Sequence, residues 1–249
     1  MRGTVVLTAS AGSFPGLAER LRSHSVAVEE HPLIRFAPPA DWGPLDAALD
    51  AVGQYAAVAV TSPRAAQALV DRLKERGAVP DALTSRAVEI WAAGAGTARV
   101  LAEVMDHVHT PSDAEIGGQG AAAALARAML DAGVDGRVLF PCGDLRLDEL
   151  PARLRDDGVD VDDVVCYRSV LASEREACEA AERATVLVVG SPSVAGLLAR
   201  ACATGLRPAL LAVGPSTAAA SKAAGWPAAA VAKHPTAESI SAAARALLL

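Results

Sequence analysis

The sequence predicts an α/β protein of two similar lobes, each a parallel sheet flanked by helices, joined by two extended linkers. Two observations lead to this prediction: part of the chain repeats itself, and short apolar runs alternate with helical patterns along its length. That alternation is typical of parallel sheets covered by helices on both faces. A chain of 249 residues is long enough for two such lobes.

The repeat relates the start of the chain to its middle. The segment Leu17–Arg22 resembles Leu150–Arg155, and Leu21, Val28 and Arg35 each meet the same residue type 133 positions later. Two copies of one unit predict two lobes of similar fold. A cleft between two such lobes is a common place for a ligand, so we expect the binding site there.

In the first half of the chain, apolar runs predict strands, and apolar residues three and four positions apart predict helices. The helix Pro63–Arg76 closes on Gly77, a residue type that suits a helix end. Ser112–Glu115 has the form of a capping box before a helix toward Leu130. The other predicted strands are Val5–Thr8, Val26–Ile34, Ala57–Thr61 and Val88–Ala92, and the other helices are Gly16–Ser23, Leu45–Val52 and Thr97–Val104.

The second half continues the alternation up to a final helix at Ser239–Leu248. The same two patterns identify its elements. The predicted strands are Arg137–Phe140, Val159–Tyr167, Val186–Val189, Ala209–Val213 and Ala229–Val231, and the other helices are Asp148–Asp156, Arg175–Arg183, Pro192–Ala203 and Ser216–Ala224.

Two segments in equivalent places of the repeat are predicted to be the linkers. Arg35–Pro39 leaves the first strand-helix-strand, and Arg168–Ala172 leaves its copy. We therefore expect the chain to leave the first lobe at one linker and return at the other. The predicted domains are 1–36 together with 172–249, and 37–171.

The composition argues against several classes of partner. A net charge of −6 disfavours nonspecific binding to nucleic acid or to an anionic membrane, and 3% aromatic residues disfavour base stacking. No apolar run is long enough to span a bilayer, and the start of the chain lacks the pattern of a signal peptide. The scattered cysteines predict reduced thiols in a cytoplasmic protein, and the scattered histidines predict no metal site. We expect a monomer.

Four strand-to-helix turns carry small, hydroxylated or glycine residues. They are Thr61–Pro63, Gly94–Thr97, Gly190–Pro192 and Gly214–Thr217. A serine before proline is a good helix cap, and the free amides and positive dipole at such helix starts bind anions. Each turn could instead be an ordinary cap, but their recurrence in matched pairs favours a binding site at the carboxyl ends of the strands.

Three further side chains are candidates. Tyr167 ends a strand just before the second linker, where its phenol could donate a proton or a hydrogen bond, or simply lie half-buried with its hydroxyl at the surface. Arg146 could bind a carboxylate or belong to a plain polar loop. Cys142 has no histidine nearby in sequence to activate it, which favours a structural thiol.

Taken together, these residues resemble the uroporphyrinogen-III synthase family over essentially the whole chain. The resemblance depends on the order and spacing of several short segments. They are Val138–Pro141 with Gly143, Asp144 and Arg146; Gly158, Val161 and Tyr167–Arg168; the two Ser-Pro turns; Ala212–Ala218; and Pro235–Thr236. Family members often carry arginine where this chain has Ala9 and Cys142.

The resemblance implies two α/β domains joined by a pair of linkers, the first domain being made from both chain ends. It implies a lyase that closes the linear tetrapyrrole hydroxymethylbilane into uroporphyrinogen III, with inversion of the last pyrrole ring through a spiro intermediate, loss of water and no cofactor. Tyr167 would assist departure of the hydroxyl. Thr97 and Thr217 would lie at the cleft, and Ser62 and Ser191 would present backbone amides to substrate carboxylates.

Two other functions are compatible with the same pattern. A non-catalytic two-lobed module could close on a small anionic ligand without turnover. A nucleotide-using enzyme on a doubly wound fold is disfavoured, because Gly94–Gly96 lacks the third glycine and the acidic residue of a dinucleotide fingerprint. We therefore predict the cyclising lyase and take the binding module as the alternative.

Overall fold

The computed structural model describes residues 3–77, 79–85, 87–112, 116 and 120–249. The chain divides into two compact units, which we call unit 1 (Met1–Phe36 with Val170–Leu249) and unit 2 (Ala37–Ser169). The predicted capping box at residues 112–115 falls mostly outside the described residues. Within the described residues, none of the helices has the length and apolar character needed to cross a membrane.

The described part of the chain contains strands in two five-stranded sheets, numbered here in chain order. They are β1 (Thr4–Leu7), β2 (Ala27–Glu30), β3 (Ile34–Ala37), β4 (Ala57–Val60), β5 (Glu89–Ala92), β6 (Val138–Gly143), β7 (Val161–Leu171), β8 (Val186–Val189), β9 (Ala209–Ala212) and β10 (Ala230–Val231). The strand order is β10-β9-β8-β1-β2 in the first sheet and β3-β7-β6-β4-β5 in the second. The chain crosses between the units within β3 and β7, which are neighbours in the second sheet.

The helices within the described residues alternate with these strands, as the sequence predicts. They are α1 (Leu17–Ser23), α2 (Gly43–Asp50), α3 (Pro63–Glu75), α4 (Asp81–Thr84), α5 (Ala95–Leu101), α6 (Ala121–Asp131), α7 (Glu149–Asp156), α8 (Glu174–Arg183), α9 (Pro192–Ala201), α10 (Pro215–Ala223) and α11 (Ala237–Ala246). A short 3-10 turn at Val52–Gln54 follows α2.

The two sheets have the same internal order. If β6 and β7 are matched with β1 and β2, and β4 and β5 with β8 and β9, the equivalent strands have equivalent neighbours. His109 forms a parallel bridge with Trp91 of β5, in the place that β10 takes beside β9. The predicted fold class, two similar lobes with parallel sheets flanked by helices and joined by two extended linkers, is confirmed.

The repeat also sets which helix face is buried. In α1 the buried residues are Leu17, Ala18 and Leu21, and in α7 they are Leu150, Pro151 and Leu154, each 133 positions later. Apolar residues at such spacing form one stripe along a helix, and that stripe packs against the sheet. The repeated sequence therefore encodes the same helix–sheet contact in both units.

The predicted single strand Val26–Ile34 is wrong. The structure has two strands here: β2 pairs with β1, whereas β3 belongs to the other sheet beside β7. Pro32 lies between them and has no backbone N–H to donate to a neighbouring strand. Residues 35–37 of the predicted first linker therefore belong to strand β3.

Alternating side chains of the central strands supply two apolar cores in each unit. In unit 2, Val58 and Val60 of β4 pack with α2, α3 and α5, whereas Ala57 and Ala59 pack on the opposite face with α6 and α7. In unit 1, adjacent residues of β1 divide in the same way between the two faces. Burial on both faces explains why these strands are continuously apolar.

Asp46 of α2 forms a charged cluster with α3. Its carboxylate accepts a hydrogen bond from Arg72 Nε at 2.8 Å and lies 3.0 Å from an Arg76 nitrogen. Mainly because of the hydrogen bond from Arg72, the pKa of Asp46 is lowered to about 2. The ionised carboxylate therefore stabilises the fold above its unfolded pKa of about 3.9, and this stabilisation is lost as the pH falls toward about 2.

Replacing Asp46 with Asn is expected to lower the free energy of unfolding at pH 7 by about 1–2 kcal/mol, since charge-assisted hydrogen bonds are lost. Urea unfolding at pH 7, 4 and 3 checks this, and the deficit should shrink below pH 4. Asp50→Asn is the matched control, because Asp50 is 68% exposed and ion pairs of exposed groups contribute little. A deficit that stays constant down to pH 3 would contradict the assignment.

Candidate active site

Each sheet has a point where the strand order reverses. In unit 2 the chain moves outward from β4 to β5 and then returns to add β6 on the other side of β4. In unit 1 the equivalent point lies between β1 and β8. In open parallel sheets the loops at the carboxyl ends of the strands separate at such a point and leave a crevice for ligands.

Ser62 lies in the turn that follows β4, at the unit 2 reversal point. Its backbone is extended, its hydroxyl oxygen accepts a hydrogen bond from Ala65 N at 3.1 Å, and Pro63 takes the first helical position of α3. Proline there forfeits only an amide hydrogen that would have had no partner within the helix. The local sequence thus fixes Ser62 as the cap of α3.

Tyr167 comes from β7, which pairs with β6, and β6 ends at this crevice. Its Cα pairs with that of Gly143 at the end of β6. The Tyr167 carbonyl accepts a hydrogen bond from Asp144 N at 3.2 Å, and Ser169 N donates to the Asp144 carboxylate at 2.8 Å. These bonds hold the backbone on the C-terminal side of Tyr167.

The structure brings Tyr167 and Ser62 together. Burial raises the pKa of the Tyr167 phenol, and a hydrogen bond with the Ser62 side chain partly opposes the rise. The exposed Arg64 on the first turn of α3 lowers the pKa by its positive charge, with a smaller effect. Because the ordinary tyrosine pKa is already about 10, the phenol is protonated at neutral pH and can donate.

Thr97 is the third residue of α5 and is buried. The start of α5 lies close to that of α3: a Cβ atom added to Gly96 would be 3.7 Å from Pro63 Cγ. Two helix starts that the sequence singled out, carrying Ser62 and Thr97, are therefore adjacent at the carboxyl ends of β4 and β5.

Arg146 lies in the loop between β6 and α7. Its guanidinium forms an ion pair with Asp163 of β7, and a second nitrogen lies 3.7 Å from Asp148. Asp163 also pairs with Arg155 and is 16% exposed. The guanidinium of Arg146 thus has protein carboxylates as partners in this structure.

Unit 1 repeats the arrangement of caps. Ser191 follows β8 and accepts a hydrogen bond from Val194 N at 3.3 Å at the start of α9. Thr217 is the third residue of α10 and is buried, as Thr97 is in α5. Helices α9 and α10 pack against each other. Ser191 and Thr217 therefore lie at adjacent helix starts, at the carboxyl ends of β8 and β9.

The cysteine thiols and histidines offer little for other chemistry. Burial raises the pKa of Cys142 to about 11 and that of Cys166 to about 12, so neither forms a thiolate readily. Within the described residues, no group of three or more histidine, cysteine, aspartate or glutamate side chains could hold a metal ion.

Sequence reasoning missed two residues at the reversal points. Gly143 lies under the Tyr167 ring, and Phe14 lies beside Gly190, where an added Cβ would meet the Phe14 ring at 3.5 Å. The sequence places Gly143 in one of the segments that carry the family resemblance but indicates no role for it. Nothing in the sequence indicated which side chain would fill each crevice.

A family model described as uroporphyrinogen-III synthase HemD matches residues 16–242, which is most of the chain. The chain belongs to the uroporphyrinogen-III synthase family. A curated relative, the uroporphyrinogen-III synthase of Synechococcus elongatus, is 34% identical over 70 residues, which cover 28% of this chain and 26% of that protein. The matched part thus spans about a quarter of the curated relative's length.

Solved structures of the family have the same fold. A mutant uroporphyrinogen III synthase from the extremely thermophilic bacterium Thermus thermophilus aligns over 99% of this chain and 98% of its own, with a TM-score of 0.64 and 16% identity. The uroporphyrinogen-III synthetase of Helicobacter pylori aligns over 99% and 100%, with a TM-score of 0.63 and 18% identity. At these identities the likeness concerns the fold.

Proposed function

We propose that this protein is a uroporphyrinogen-III synthase. It would convert hydroxymethylbilane into uroporphyrinogen III, inverting the last pyrrole ring and releasing water without a cofactor. The observation that carries the proposal is the family match over residues 16–242. The pairing of a protonated phenol with a helix start at the unit 2 reversal point supports it, since the reaction needs a group that assists departure of a hydroxyl.

In this proposal Tyr167 is the catalytic residue. Its phenol donates a hydrogen bond to the leaving hydroxyl of the substrate, or transfers its proton to that oxygen so that water departs in place of hydroxide. Burial supports this role, because the raised pKa keeps the proton on the phenol throughout the neutral range. The remaining chemistry is intramolecular, and positioning the two ends of the tetrapyrrole can supply much of the acceleration.

The substrate carboxylates are bound by helix starts in this proposal. The chain has a net charge of −6, so its overall field does not attract a polyanion. Backbone amides at the starts of α9 and α10 would bind carboxylates locally, at the cap and first turn that contain Ser191 and Thr217, and the Ser62 backbone would contact a carboxylate at the start of α3. Thr97 would contact the substrate beside α3.

Arg146 would bind a further carboxylate by exchanging partners. It now pairs with Asp163, which retains Arg155 as a second cation. A substrate carboxylate could therefore take the place of Asp163 at Arg146 without leaving Asp163 unpaired. We also propose the domains 1–36 with 172–249 and 37–171, which differ from units 1 and 2 only at residues 170–171. We further propose that the protein is cytoplasmic, consistent with its four free cysteines, and that it is a monomer.

The isomer of the product tests the function directly. Purified protein supplied with hydroxymethylbilane should yield uroporphyrinogen III, resolved by chromatography from the isomer I that forms spontaneously. Heat-denatured protein is the control and should yield isomer I alone. Isomer I alone from the native protein, together with saturable binding of hydroxymethylbilane, would instead identify the non-catalytic binding module.

A further inference from the structure

Gly143, the last residue of β6, lies against the ring of Tyr167. A Cβ atom built on Gly143 would lie 2.5 Å from Tyr167 Cζ, 2.7 Å from its phenol oxygen and 2.8 Å from Cε2. Carbon atoms do not approach other side-chain atoms this closely, so any other residue would displace the ring. The backbone of Gly143 is not in the left-handed region, so the space above it, and not its own conformation, is what requires glycine.

An irregularity in the strand pairing places the ring over Gly143. Cys142 pairs with Val165, but the next residue, Gly143, pairs with Tyr167, so β7 has one extra residue at Cys166. The Cys166 thiol is buried and donates to the Cys142 carbonyl at 3.3 Å, which ties the extra residue to β6. Because side chains alternate along a strand, one inserted residue reverses the face on which the following side chain lies relative to β6.

We propose that Gly143 is a positioning residue for Tyr167. Its bare backbone receives one face of the phenol ring, and the Ser62 side chain is a hydrogen-bond partner of the phenol. The part of this inference that concerns catalysis rests on the proposed function. The part that concerns the placement of the ring does not.

Ser62 links the phenol to the start of α3. One lone pair of the Ser62 oxygen already accepts from Ala65 N at 3.1 Å. The same side chain is a hydrogen-bond partner of the phenol, and this interaction lowers the pKa of Tyr167 against the larger, raising effect of burial. A ring displaced by a side chain at position 143 would lose this partner and move toward water.

The test uses the fact that the chain has two tyrosines, Tyr55 and Tyr167. In protein labelled with 13C at tyrosine Cζ, the Tyr167 resonance is the one lost in Tyr167→Phe. In Gly143→Ala, the Tyr167 resonance should titrate at lower pH than in the wild type, because loss of burial outweighs loss of the Ser62 hydrogen bond. The Tyr55 resonance should not change.

The same variant should lose activity in a defined way. Gly143→Ala is expected to lower kcat for uroporphyrinogen III formation by about 100-fold with little change in KM, as a displacement of about 1 Å can cost that much. Gly205→Ala is the matched control, since an added Cβ there has no atom within 4 Å and the backbone is not left-handed. It should preserve both the titration and kcat.

Thermal unfolding distinguishes a steric clash between a Cβ atom at position 143 and the Tyr167 ring from other effects of the Gly143→Ala substitution. Gly143→Ala should lower Tm in the wild-type background, and this loss should disappear in Tyr167→Ala, where no ring occupies the space. If native wild-type protein forms no uroporphyrinogen III, the proposed function fails, while the titration and the Tm comparison still test the placement of the ring. An unchanged Tyr167 titration and an equal Tm loss in both backgrounds would overturn the inference.

Discussion

Replacing Tyr167 with Phe is expected to reduce the turnover of hydroxymethylbilane by about 100-fold, the lower end of what a positioned proton donor contributes. Phenylalanine keeps the ring that lies over Gly143 and removes only the hydroxyl, so the fold should remain intact. Because burial raises the pKa of this phenol above its ordinary range, activity that depends on its proton should not fall between pH 6 and 9. Initial rates of uroporphyrinogen III formation from pH 6 to 9, with circular dichroism for the fold, provide the measurement.

Tyr55→Phe is the matched control for that substitution. The Tyr55 hydroxyl donates to the Asp162 carboxylate at 2.7 Å, before the start of β4 and therefore at the opposite end of the sheet from Tyr167. Loss of this bond should cost about 1 kcal/mol of stability and leave turnover unchanged. If Tyr167→Phe retains full turnover, or if Tyr55→Phe lowers it equally, the phenol of Tyr167 is not the proton donor.

A negative charge at a helix start should compete with the substrate. Ser216 is the second residue of α10 and is exposed, so Ser216→Asp places a carboxylate beside the free amides. The change should stabilise the helix slightly through its dipole while raising KM for hydroxymethylbilane about fivefold, equivalent to about 1 kcal/mol of repulsion at 4 Å in water. Adding Ser193→Asp on the first turn of α9 should raise KM by a similar further factor.

Two controls separate local repulsion from other effects. Ser216→Asn has nearly the same shape as Ser216→Asp without its charge and should leave KM unchanged. Thr204→Asp adds the same charge just beyond the C-terminal end of α9, at the amino ends of the strands and far from the helix starts. It should have little effect on KM at 0.15 M salt, because screening limits the interaction of distant charges. Equal KM values for the Asp and Asn variants of Ser216 would argue against carboxylate binding at α10.

The fold was largely predictable because it depends on pattern. Continuous apolar runs predicted the buried strands. The repeat predicted equivalent helices in the two units, and Leu21 in α1 and Leu154 in α7 are both buried. The failure at Val26–Ile34 has a tertiary cause. Local β propensity is the same on both sides of Pro32, and only the pairing partners, β1 for β2 and β7 for β3, divide the segment between two sheets.

The candidate site was predictable at its caps and less so at its contacts. Ser62 and Ser191 were found because a serine before proline has a local, sequence-readable role. The packing of the Tyr167 ring on Gly143 could not be predicted, because it depends on one extra residue in β7. The pairing register of β6 and β7 is a property of the two strands together and not of either sequence alone. The same holds for Arg146, whose partner Asp163 is distant in sequence.

The order in which the polypeptide leaves the ribosome bears on how unit 1 forms. Its sheet joins β1, from the beginning of the chain, to β8, and the Thr8 hydroxyl donates to the Val188 carbonyl across a separation of 180 residues. Unit 2, by contrast, is one uninterrupted stretch that emerges complete while β1 still lacks its second neighbour, β8. Since long-range pairing is slow, the nascent β1–β2 segment must wait with an unsatisfied strand edge until β8 is synthesised, and that interval is when the chain is most exposed to aggregation.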